Sequence, residues 1–91
     1  MNTATYVKTL EARVDGQIKK LYKLDPALNE IEYVVVSAIP CAFDTGEPET
    51  FIFSADETGD ITSFSNLEGS FQGSIDIPKA LKGLGYKIKK D

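Results

Sequence analysis

Apolar residues recur through the first quarter of the chain at Val7, Leu10, Val14, Ile18 and Leu21. Their spacings of 3, 4, 4 and 3 fit one face of an α-helix, while Lys8, Glu11, Arg13, Asp15, Lys19 and Lys20 fall elsewhere. The pattern predicts an amphipathic helix over residues 4–23, capped by Asn2 or Thr3 and stopped by Asp25-Pro26. Gly16 sits inside it at a cost of roughly 1 kcal/mol relative to alanine. The same stretch admits a hairpin turning at Asp15-Gly16, with strands 5–14 and 17–24. A two-residue loop would set Leu10 opposite Leu21 but Val14 opposite Gln17 and Ala12 opposite Lys19. Those mixed pairs favour the helix.

After Pro26 the pattern changes. Residues 31–39 are β-branched and almost continuously apolar, as expected of a central strand covered on both faces, and Pro40 ends them. A loop carrying Gly46 and Pro48 leads to a second strand at 50–55. Asp56-Glu57-Thr58-Gly59-Asp60 is turn chemistry, and residues 61–64 complete a hairpin. Residues 66–74 read as a loop. Asp76 then caps a short helix at 77–82, ended by Gly83 or Gly85, and Tyr86-Lys87-Ile88-Lys89 alternates as an edge strand. The predicted order is α-β-β-β-α-β within one domain, residues 1–91. This is an α+β two-layer domain: an antiparallel sheet of three to four strands, an N-terminal amphipathic helix and a short C-terminal helix.

Composition removes much chemistry. The 91 residues include no His, so His-based triads and His-ligated zinc are excluded. The single Cys41 has no partner within the chain and no His to activate it; it reads as a small buried hydrophobe. The first residues lack the basic and apolar regions of a signal peptide. The longest apolar-rich run, 33–43, is well short of the roughly 20 residues of a membrane span. Together these predict a cytoplasmic protein.

The net charge of −4 conceals a division. Residues 1–25 carry +2, residues 26–76 carry −10 without one Lys or Arg, and residues 77–91 carry +4. Either the basic ends lie over the acidic middle, or the middle presents a face to a basic partner. The candidate contact residues are Asp44, Glu47 and Glu49 in one loop and Asp56, Glu57 and Asp60 in the next. Nucleic acid and anionic membrane are disfavoured as partners.

Motifs add little. Ala42-Phe43-Asp44-Thr45-Gly46 resembles the catalytic tripeptide of retroviral-type aspartic proteases, which are homodimers of about this length. Here Glu47 and Pro48 follow where that family has a small residue, and no glycine-rich flap is recognisable. Residues 56–60 lack the ligand spacing of an EF-hand loop, and residues 69–73 lack the ending of a phosphate loop. Phe51, Phe53, Phe64 and Phe71 lie where no cation accompanies them, which points to core packing rather than base stacking. No catalytic residue, metal or cofactor is expected, and the chain does not read as an enzyme.

A longer pattern runs through Leu21-Tyr22, Leu24-Asp25-Pro26, Val34-Val35-Val36-Ser37-Ala38 and Gly46-Glu47-Pro48-Glu49-Thr50-Phe51-Ile52-Phe53. It continues through Ala55-Asp56, Leu67-Glu68-Gly69-Ser70-Phe71, Ala80-Leu81 and Gly85-Tyr86. In this order the residues resemble a group of short tailed-phage proteins, best represented in phages of actinobacteria. Nine Lys against one Arg, and the longer segment 1–20, depart from that group. The resemblance implies an accessory gene product made in the infected host's cytoplasm and brings no activity or site with it. The expected function is non-enzymatic protein–protein interaction that modulates or inhibits a host factor. The alternative is a structural or assembly role as a homo-oligomer, and the third is the aspartic-protease-like homodimer.

Overall fold

The computed structural model describes residues 2–12, 16–40 and 46–89. Its strands are β1 (Thr3–Leu10), β2 (Ile18–Leu28), β3 (Ile31–Ile39), β4 (Glu49–Ala55), β5 (Phe71–Gln72) and β6 (Lys87–Lys89). One short helix, α1 (Ile77–Leu84), lies between the last two. All six strands join one sheet in the order β5-β4-β3-β2-β1-β6, curled into a half-barrel. Every pairing is antiparallel except β1 with β6, which is parallel.

The predicted N-terminal helix is therefore replaced by two strands, and the α-β-β-β-α-β order and three-to-four-stranded antiparallel sheet are overturned. The physical reason lies in residues 3–10. Thr3, Thr5, Val7 and Thr9 are β-branched and Tyr6 is aromatic, side chains that fit a pleated surface and lose rotamer freedom in a helix. The apolar stripe that suggested a helix is not a buried face, since Val7 is 43% and Ile18 41% exposed. The hairpin alternative also needs correction in register. β1 and β2 are joined by a connection longer than two residues, so Leu10 faces Lys19 and Leu21 faces Lys8. A bulge between Tyr6 and Lys8 inserts one extra residue and switches the faces of the rest of β1.

Pro26 does not stop the second segment. It lies within β2 at an irregularity where pairing with β3 lapses between Lys23 and Leu28, and the Asp25–Pro26 peptide is cis. A bulge is where a strand tolerates a residue without an N–H. The chain then reverses through Asn29-Glu30, both at positive φ (48° and 73°), as a two-residue hairpin turn of primed type requires.

β3 spans the predicted residues and is central, with Val34, Val35, Val36, Ser37 and Ala38 all buried. Its pleat feeds two cores. One face gathers Ala4, Tyr22, Leu24, Val34, Val36 and Ile52 beneath Ile77, Ala80, Leu81 and Leu84 of α1. The other holds Leu21, Val35 and Ala55, closed over by Leu10, Tyr33 and Ile61. Helix α1 begins as predicted: Asp76 accepts a hydrogen bond from the Lys79 amide, Pro78 stands in the first turn, and Gly85 ends the helix at φ 101°. Below the helix the Tyr86 hydroxyl donates to the Pro26 carbonyl, tying the C-terminal segment to β2. Burial, then the neighbouring Asp25, pushes the Tyr86 phenol above its ordinary pKa.

The predicted third strand, 61–64, shrinks to a single bridge between Ala55 and Ile61. Thr62 still donates to Ser54, but the chain then swings off the sheet and returns where Leu67 donates to Ile52. The excursion leaves Phe64 75% exposed, 5.9 Å from the Phe53 ring; Phe51 and Phe53 are half-buried outside the two cores, while Phe71 packs against the α1-covered core as expected.

Candidate functional site

The fold turns the charge division along the chain into a division across the sheet. β2, β1 and β6 carry Lys19, Lys20, Lys23, Lys8, Lys87 and Lys89, with Asp25 as their one carboxylate. β3 and β4 carry Glu32 and Glu49 and no lysine. Because β2 is followed directly by β3 in the strand order, the boundary runs down the middle of the sheet.

The candidate residues separate into groups. Asp44 lies outside the described residues, as do Cys41 and most of the Asp-Thr-Gly tripeptide. Glu47 and Glu49 stand at the start of β4, where Gln72 Nε2 donates to Glu49 Oε2 at 2.7 Å. Asp56 and Glu57 follow the end of β4, roughly 20 Å away at the rise of an extended strand. The two acidic loops are thus at opposite ends of one strand. Asp60 closes the same turn as Asp56, its carbonyl accepting from the Asp56 amide, and lines a different cleft with Leu10 and Lys19 of the basic half.

What the fold does bring together is Asp56 and Glu57 with Glu30 and Glu32. Tyr33 pairs with Ala55, so the β2–β3 turn and the turn after β4 lie side by side. Between them is a cleft of about 440 Å³ lined by Glu30, Glu32, Tyr33, Asp56, Glu57 and Thr62 among others, with no lysine among the described residues of its wall. Sequence reasoning missed Glu30 and Glu32, which are over twenty residues from Asp56. The only signal that finds them is the pairing register.

The four carboxylates are not equivalent. Asp56 Oδ1 accepts from the Thr58 hydroxyl at 2.6 Å, the Thr58 amide at 2.9 Å and the Asp60 amide at 3.0 Å. Its side chain organises the turn. The Thr58 hydroxyl foremost, with the turn amides, holds the Asp56 carboxyl below the ordinary carboxylate range. A depressed acid supports the fold above its unfolded pKa and stops doing so as pH falls through its folded value. Asp56→Asn is therefore expected to lower the urea midpoint at pH 7, and the gap to the parent should close as pH drops below about 4. A gap that persists unchanged in acid would contradict this role for the charge. Glu30, Glu32 and Glu57 are exposed and have no such structural task in view.

Among the described residues no group of three His, Cys, Asp or Glu is arranged to hold a metal ion. No helix among them is long and apolar enough to cross a membrane. Comparisons with protein-family models, curated proteins and solved structures find no match to this chain.

Proposed function

We propose that the chain is a small non-enzymatic binding protein that docks a basic segment of a protein partner in the cleft between the β2–β3 turn and the turn after β4. The observation that carries this is the convergence of Glu30, Glu32, Asp56 and Glu57, from two separate turns, on one cleft without a lysine among the described residues of its wall. Four like charges on one cleft give it a negative potential. That potential attracts a cationic side chain, which steers encounter and fixes register. Tyr33 and Thr62 also line the cleft and add an aromatic ring and a hydroxyl oxygen to its wall. The basic half of the sheet repels the same partner and so confines it to this end. On the proposed phage-type reading, the partner is a host protein of the infected cell's cytoplasm, and the chain acts by occupying it.

The test uses a fluorescein-labelled decapeptide rich in Arg and Gly. The parent protein should raise its anisotropy saturably at low salt, and binding should weaken as ionic strength rises. The Glu30→Lys/Glu32→Lys/Glu57→Lys variant, which leaves the Asp56 turn intact, should lose at least tenfold in affinity. A Glu47→Lys/Glu49→Lys variant, altered at the far end of β4, should keep most of it. Equal loss in both variants would show that overall charge, not the cleft, is responsible.

A further inference from the structure

A second groove, of opposite sign, lies at the β6 edge of the sheet. β6 is the terminal strand and pairs only with β1. The Lys87 amide donates to the Asn2 carbonyl at 3.0 Å, so by strand alternation the N–H and C=O of Ile88 face away from β1. No described strand takes them up. Beside this edge, between β6 and the outer side of α1, is a cleft of about 730 Å³. Pro78, Tyr86 and Ile88 give it apolar walls, Lys82 supplies charge, the Lys87 backbone forms the rim, and among the described residues no carboxylate lines it.

The geometry points to strand addition at β6: an extended partner segment alternating apolar and acidic residues binds as a seventh strand. Pairing with Ile88 would satisfy the outward backbone groups, the interaction that gives such complexes their affinity. The pleat sets the sequence preference. Ile88 packs against the α1-covered core, so Lys87 and Lys89 project from the opposite face. An incoming strand would set its apolar side chains in the cleft beside Ile88 and its carboxylates opposite Lys87 and Lys89. Those lysines also repel a second copy of β6, which keeps the edge from pairing with itself. This site is independent of the acidic cleft, so either can fail alone.

The probe is a labelled octapeptide alternating Val or Thr with Glu, compared with its Val/Thr–Lys counterpart. The acidic peptide should bind saturably and shift backbone amide signals at residues 86–89, and the Ile88 amide should exchange with solvent more slowly when bound. Lys87→Glu/Lys89→Glu, two exposed positions, should weaken the acidic peptide at least tenfold and improve the basic one. Absence of acidic-peptide binding, shifts at residues 86–89 as large with the basic peptide as with the acidic one, or unchanged Ile88 exchange in a saturated complex would overturn the proposal. So would light scattering that shows a dimer dispersed by the same variant, since the occupant would then be a second copy.

Discussion

Gly69→Ala is expected to remove a large part of the protein's stability, roughly 2–5 kcal/mol. Gly69 lies where the segment returning to β4 crosses helix α1, backbone against backbone. Its φ is +97°, a region that L side chains rarely adopt. A Cβ there would stand 2.2 Å from the Ala80 carbonyl oxygen and 2.8 Å from the Leu84 nitrogen. Neither neighbour is a flexible side chain that can move aside. The loop would have to lift, and with it the Leu67 and Ser70 hydrogen bonds that cover the edge of β4. A domain of this size holds roughly 5–14 kcal/mol in total, so the loss is severe. Gly83 supplies the complementary test, because its Cβ would fall 2.8 Å from the Gly69 Cα. In a free helix, Gly→Ala gains about 1 kcal/mol. Here Gly83→Ala should destabilise, and a raised urea midpoint would show that the loop does not cross the helix there.

Leu81→Ala should cost nearly as much, roughly 2–5 kcal/mol, because Leu81 is fully buried between α1 and the sheet. The informative comparison is with Val7→Ala and Ile18→Ala. Both positions belong to the stripe that would be the buried face of an N-terminal helix, yet both are more than two-fifths exposed in the strands. Each should change stability by under about 0.5 kcal/mol. Large losses at Val7 and Ile18 would restore the helix and remove the β1–β2 hairpin.

How legible an element is in the sequence depends on how local its determinants are. β3 is encoded by a β-branched run ended by proline, and α1 by a capping aspartate, a first-turn proline and a terminal glycine, all within a few residues. β1 and β2 are not local in this sense. The bulge at Val7 breaks the alternation of β1, so that Ala4 and Tyr6 share a face while Lys8 and Leu10 share the other. That switch leaves apolar spacings that imitate a helix. Pro26 imitates a helix stop, and Asn29-Glu30 lacks the glycine that usually marks a two-residue hairpin turn. The acidic cleft was half legible for the same reason. Asp56 and Glu57 were visible as turn residues, but Glu30 and Glu32 join them only through the Tyr33–Ala55 register. Sequence proximity grouped Asp56 with Glu47 and Glu49 instead, which the length of β4 holds far apart.

The division of charge across the sheet gives the cleft its sign, and the cleft is where function is proposed. Titrating isotopically labelled protein with the arginine-rich decapeptide, and following backbone amide signals by NMR, tests this most directly. The predicted result is saturable shifts confined to residues 29–33 and 54–62, with the strands β1 and β6 unmoved. Shifts spread evenly over the acidic residues, or centred on Glu47 and Glu49, would contradict it.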